Sequence, residues 1–154
     1  DDLKDVYLIF TMPNADSDRR IIKKMIDEFV SSHGKRSISF SSMGSLNYLS
    51  TLQFVNGVVG NSSSGLAEVP TFKIGTINIG DRQKGRLKAK SIIDCEPTEG
   101  SIKQAVKTLY SKDFQNVLST VENHYGEGNA TEKIMKVLQD STITEEPKKE
   151  FYDL

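Results

Sequence analysis

A parallel α/β sheet flanked by helices is the fold class predicted by this 154-residue sequence, on three observations. Short apolar, β-favouring runs alternate with longer segments of helical period, the rhythm of parallel strands joined by right-handed crossovers. Two glycine-bounded polar segments, Gly60-Asn61-Ser62-Ser63-Ser64-Gly65 and Gly80-Asp81-Arg82-Gln83-Lys84-Gly85-Arg86, each follow a strand-like run, which is where open α/β sheets gather their ligands. From Thr98 onward the pattern turns helical, so a helical extension is expected to close the domain.

Val6 to Thr11 is a short apolar run that empties into Met12-Pro13-Asn14-Ala15-Asp16, a buried strand followed by a loop. Ile21, Ile22, Met25, Ile26, Phe29 and Val30 recur at helical spacing, with Asp16 or Ser17 as the expected cap and Gly34 as the stop. Ser37 to Phe40 reads as the second strand, and a helix over Ser45 to Val55 carries Leu46, Leu49, Leu52 and Phe54. Gly57 to Gly60 is the third strand, Leu66 to Val69 a short helix before Pro70, and Thr76 to Ile79 and Ser91 to Asp94 the last two strands. Two helices follow, one on Ile102, Val106, Leu109 and Tyr110, the next on Phe114, Val117, Leu118 and Val121. Asn129-Ala130-Thr131-Glu132 has capping-box spacing ahead of Ile134, Met135, Val137 and Leu138.

Composition narrows the function classes. Twenty basic residues against 21 acidic ones leave a net charge of −1, which argues against a general nucleic-acid or membrane-surface binder. Cys95 is the only cysteine, so no intrachain disulfide forms and a reducing, cytoplasmic setting is expected. No apolar run approaches the roughly 18 residues of a membrane span. The opening Asp1-Asp2-Leu3-Lys4-Asp5 is the opposite of a signal peptide, and the strand-like run that starts almost at once is expected of a piece of a longer chain. At this length one domain with its own core is the default.

The two glycine-bounded segments look like the walls of a diphosphate site. In the first, hydroxyls and backbone N–H groups gather where a strand hands over to a helix, an end that attracts anions. Ser62 and Ser63 would hold phosphate oxygens while Gly65 lets the helix approach closely; the alternative is a serine-rich cap on a short helix. The Gly-Lys-Ser/Thr ending of phosphate loops is absent, so magnesium-dependent triphosphate hydrolysis is not indicated. Arg82 and Arg86 sit beside glycine-bounded turns and suit charge-assisted contacts with phosphate, whereas Lys88 and Lys90 read as a solvated stripe. Glu68 is either the acidic partner of Ser64 or Gly65 in a capping pair or an acceptor for a ribose diol. Asn14 and Asp16 touch a sugar or stabilise the turn after the first strand. His33 and His124 lack metal-ligand spacing, Cys95 lacks a nucleophile's partners, and none of the three is given a role.

In combination and order, Gly60-Asn61-Ser62-Ser63-Ser64-Gly65 with Glu68, then Ile79 to Arg86, resemble the hydrolysing UDP-N-acetylglucosamine 2-epimerases. Pro13-Asn14-Ala15-Asp16, the Tyr125-Gly126-Glu127-Gly128-Asn129-Ala130 run and the ending Lys148 to Asp153 extend the resemblance over nearly the whole chain. The resemblance implies a Rossmann-like domain from the carboxyl-terminal half of a two-domain glycosyltransferase-B fold, its first strand and helix missing. Residues 1–141 would form this UDP-binding domain, and 142–154 a charged tail whose Phe151-Tyr152 packs against the absent amino-terminal domain. The implied reaction eliminates UDP across C1–C2 to give a glycal and then adds water, releasing N-acetylmannosamine for sialic-acid or capsular polysaccharide synthesis.

By the same resemblance Ser62 and Ser63 bind the diphosphate, Arg82 the phosphate next to the departing sugar bond, and Glu68 the ribose hydroxyls. Backbone near Ser41-Ser42-Met43 would contact uracil, and Asn14, Asp16, Met43, Gly65 and Arg86 are further candidate contacts. The acid/base carboxylates belong to the absent domain, so no catalytic residue, metal or cofactor is expected here. UDP or a UDP-sugar is the expected ligand, and the full-length enzyme is expected to be a cytoplasmic homo-oligomer. Two competing readings are a UDP-sugar glycosyltransferase of the same architecture and a stand-alone flavodoxin-like nucleotide-binding module.

Overall fold

The computed structural model describes residues 5–12, 19–126 and 128–141. It divides into two compact units, Asp1–Val58 and Val59–Leu154. In the first, β1 (Leu8–Thr11) and β2 (Ser37–Phe40) pair in parallel, with Leu8 opposite Ser37 and Thr11 opposite Phe40. The connection between them contains α1 (Arg19–His33). Phe29 turns toward the strands and meets Phe10 edge-on at 5.7 Å between ring centroids, a favoured aromatic geometry. At the end of α1, His33 stacks on Phe29 and its Nδ1 bonds the Phe29 carbonyl at 3.1 Å, so this histidine has the helix-terminal place its position predicts. Gly34 lies in the turn that follows.

The second helix, α2, spans Gly44–Leu52. It stops short of the predicted Val55 because Gln53 and Phe54 bond back only three residues, to Ser50 and Thr51, tightening the last turn. The predicted strand from Val6 likewise begins two residues later, at Leu8.

The second unit begins inside β3 (Gly57–Gly60), which is an edge of a three-stranded sheet in the order β3-β4-β5. Strands β4 (Gly75–Ile79) and β5 (Ile92–Cys95) run parallel, Thr76 opposite Ile92 and Ile79 opposite Cys95. Between β3 and β4 lie α3 (Ser64–Ala67) and a single 3-10 turn, Val69–Phe72, where the sequence predicts one helix over Leu66 to Val69. Pro70 enters this turn near its start, where no N–H is needed.

Alternation along β4 gives the sheet two unlike faces. Ile77 packs with Ala105 and Leu109 of α4 (Glu99–Leu109), and Ile79, Ile93 and Phe114 close around them. A second cluster joins Ala89 and Val121 to Leu118 of α5 (Lys112–Ser119). Both helices start on side-chain caps, Thr98 accepting from the Ser101 amide and Ser111 from the Phe114 amide, which supplies orphaned first-turn donors with partners.

The last helix, α6 (Ala130–Asp140), departs from its predicted start. Asn129 occupies the N-cap position in the left-handed region, φ 58°, and its side chain makes no capping bond, so the capping box suggested by the spacing does not form. Asparagine tolerates that conformation better than most residues. The apolar residues Ile134, Met135, Val137 and Leu138 of α6 are all exposed. Residues 142–154, including Phe151 and Tyr152, lie outside the described residues, as do Asp16 and Ser17, the expected cap of α1.

Candidate functional site

Both glycine-bounded segments belong to the second unit, and the structure brings them together. Asn61 follows β3, and its main-chain oxygen accepts two hydrogen bonds from the β4–β5 loop, from Arg82 Nη1 at 3.2 Å and Gln83 Nε2 at 2.7 Å. Arg82 therefore reaches the residue next to Ser62. The loop leaves β4 through Gly80, whose φ of 76° is readily adopted only by glycine, with open space around its Cα. A tight turn follows, the Lys84 amide bonding the Asp81 carbonyl at 2.8 Å.

At the start of α3 only part of the expected donor set is available. The Ser64 amide is taken by the Ser62 hydroxyl at 3.3 Å and the Gly65 amide by the Ser62 carbonyl at 3.2 Å. Leu66 and Ala67 both bond the Ser63 carbonyl. The N–H groups of Ser62 and Ser63 and the Ser63 hydroxyl have no partner among the described residues. These serines and Arg82 are exposed. Glu68, at the C-cap of α3, accepts a hydrogen bond from the Ser64 hydroxyl, a pairing of side chains rather than the bond to a first-turn amide that a capping pair makes.

Gly65 has a packing reason to be glycine. A β-carbon there would stand 2.7 Å from Thr76 Cγ2, and the Thr76 hydroxyl donates to the Gly65 carbonyl at 3.0 Å. This contact seats α3 on β4. Two residues on from Thr76 along β4, Asn78 is buried, 1% exposed, and donates to Asp94 Oδ1 at 2.7 Å. Lys88 then bonds both Asp94 oxygens at 2.8 Å, so Lys88 is an ion-pair member rather than part of a solvated stripe. Burial pushes the Asp94 carboxyl up, but the Lys88 ammonium and the Asn78 amide outweigh it and hold Asp94 below the usual aspartate value. Burial, helped by the charges of Asp94 and Glu96, raises the Cys95 thiol above its ordinary range, the reverse of an activated nucleophile.

The remaining candidates divide. Arg86 is exposed in the same loop, with no side-chain partner among the described residues. Met43 belongs to the first unit, at the N-cap of α2, and lines an open cavity of about 380 Å³ with Ser42, Asn47 and Phe54. Asn14 and Asp16 lie outside the described residues. Sequence reasoning missed Gln83, 2% exposed and the closer of the two donors on Asn61; its one signal is an uncharged amide inside a basic run. Among the described residues no group of three His, Cys, Asp or Glu is placed to hold a metal ion, and no helix is long and apolar enough to cross a membrane.

Comparison with known proteins gives this chain a family. The family model described as UDP-N-acetylglucosamine 2-epimerase matches residues 1–139. A GDP/UDP-N,N'-diacetylbacillosamine 2-epimerase (hydrolyzing) of Campylobacter jejuni is 42% identical over 75% of this chain and 29% of its own length. Polysialic acid biosynthesis protein P7 of Escherichia coli is 35% identical over 95% of this chain and 37% of its own. A UDP-N,N'-diacetylbacillosamine 2-epimerase (hydrolyzing) of Legionella pneumophila is 25% identical over 87% and 34%. The chain thus spans about a third of the length of these curated relatives. With nine-tenths of its residues matched by one family model, the chain belongs to the UDP-N-acetylglucosamine 2-epimerase family.

Proposed function

We propose that this chain is the nucleotide-holding part of a hydrolysing UDP-sugar 2-epimerase, cytoplasmic, acting on UDP-N-acetylglucosamine or a diacetamido relative. The observation that carries the reading is the convergence at Asn61, where Arg82 reaches the main chain beside Ser62 and Ser63. Breaking the C1–oxygen bond leaves negative charge on the departing diphosphate, and a positioned guanidinium and oriented N–H and O–H donors stabilise it. In this reading Ser62 and Ser63 donate to phosphate oxygens and Arg82 faces the phosphate next to the sugar. Glu68 keeps one oxygen on Ser64 and offers the other to the ribose. Arg86 adds positive charge in the same loop.

Proton removal at C2 and hydration of the glycal need acid and base groups supplied from outside these residues, by an amino-terminal domain of a homo-oligomeric enzyme. Residues 1–141 form the UDP-binding domain in this reading, and 142–154 pack against that second domain. The names carried by the relatives, epimerases of UDP-sugars and a polysialic acid biosynthesis protein, support the substrate class and a role in surface-polysaccharide synthesis. They favour an epimerase over a glycosyltransferase or a flavodoxin-like module. Titration calorimetry tests the reading: UDP should bind the 154-residue chain and flavin mononucleotide should not. Incubation with UDP-N-acetylglucosamine should leave the sugar intact; release of N-acetylmannosamine would contradict the assignment of the acid and base groups elsewhere.

A further inference from the structure

We propose that Gln83 is a positioning residue that keeps the Asn61 carbonyl permanently bonded, so that Arg82 can leave it for an anionic ligand without unmaking the loop. The inference rests on the diphosphate reading above for its ligand, but its geometry stands separately.

The two donors on Asn61 are unequal. Gln83 is 2% exposed and bonds at 2.7 Å, whereas Arg82 is exposed and bonds at 3.2 Å. A carbonyl only accepts, so the amide end of Gln83 that faces it is the NH2 group, and the side chain has one workable orientation. Moving an exposed guanidinium costs little. Releasing the buried amide would orphan its NH2 group, and the carbonyl as well once Arg82 has left. With Gln83 absent, Arg82 becomes the sole donor, and its departure toward a phosphate would leave Asn61 unbonded next to Ser62. Gln83 thus separates two tasks: it fixes the start of the serine segment, and Arg82 is held near the site yet free to turn.

Two measurements on the 154-residue chain decide this, comparing it with Gln83→Met, which fills similar volume without a donor. First, amide hydrogen exchange without nucleotide should quicken about tenfold at Ser64 and Gly65, whose amides bond Ser62, while β4 and β5 amides are unchanged. Second, UDP affinity should fall about tenfold in Gln83→Met, yet by less than about twofold when Arg82→Ala is already present, because the two residues act as one unit. A loss of the same size in both backgrounds means general loosening and overturns the proposal. So does unchanged exchange at Ser64 and Gly65, whether or not UDP binds. Failure of the unsubstituted chain to bind UDP instead overturns the diphosphate reading, and the exchange result then decides the role of Gln83 by itself.

Discussion

Gly65 lies against Thr76 so closely that a β-carbon at residue 65 would stand 2.7 Å from Thr76 Cγ2. The obstacle is a branched methyl on a buried strand residue, 2% exposed and held by its own hydrogen bond to the Gly65 carbonyl. It cannot swing aside as a long side chain would. Gly65→Ala should therefore lower stability in urea unfolding by about 1–3 kcal/mol, the range for overpacked sites. Adding Thr76→Ser removes the methyl but keeps the hydroxyl, and should recover part of the loss. An unchanged urea midpoint in Gly65→Ala would mean that α3 is not seated on β4 in this way.

Arg82→Ala should weaken UDP binding by roughly tenfold to a hundredfold, since a hydrogen bond to a charged group contributes about 1.5–3 kcal/mol. Arg82→Lys keeps the charge and loses the planar fork, so an intermediate affinity is expected. Ser63→Ala should cost less, about tenfold at most, because a neutral hydroxyl contributes roughly 0.5–1.5 kcal/mol. Calorimetry in which neither Arg82→Ala nor Ser63→Ala changes the affinity removes both residues from the site.

Much of this site is legible in the sequence, and the remainder shows what a sequence conceals. Strands β2 and β3 fall on their predicted bounds because Gly57 and Gly60 bracket Val58-Val59 and a turn precedes Ser37. The meeting of Arg82 with the Ser62 segment follows from topology, since both segments leave the same end of neighbouring parallel strands. Gln83 leaves only the trace of an uncharged amide inside a basic run, because a buried clamp has no periodicity. The Lys88–Asp94 pair spans a loop and a strand rather than one helical turn, so no spacing rule finds it. At Asn129 the spacing rule misled: the residues of a capping box are present, but the backbone takes the left-handed conformation and the side chain is left out.

Acid and alkali should each destabilise the β4–β5 region, for opposite reasons. Asp94 titrates below the usual value of 3.8 in the folded chain, so its contribution is full above that value and is lost as the pH falls through the lower folded one. Its side chain is 53% exposed, which limits the effect to about 0.5–1 kcal/mol. Asp94→Asn should flatten the acid limb of a stability-against-pH curve. Cys95 titrates above the usual 9.0, so its contribution is full below that value and is lost as the pH rises through the folded one. The same shift predicts slow reaction with a thiol reagent at neutral pH; modification at the rate of a free model thiol would contradict it.

Leu109 and Ile134 each belong to the apolar pattern of their helix but differ in burial. Leu109 is 4% exposed, packed with Ile77 and Ala105, whereas Ile134 on α6 is 58% exposed. Leu109→Ala should cost about 2–5 kcal/mol, lost transfer energy plus the cavity left between α4 and β4. Ile134→Ala removes no buried contact and gains helix propensity, so the change should stay within about 0.5 kcal/mol. Urea unfolding of the two variants separates these mechanisms. A loss at Ile134 matching that at Leu109 would mean the apolar side of α6 is covered in the isolated chain. A loss only at Leu109 would leave that side uncovered, with the stabilising contacts made elsewhere, as Leu109 makes them with Ile77 and Ala105.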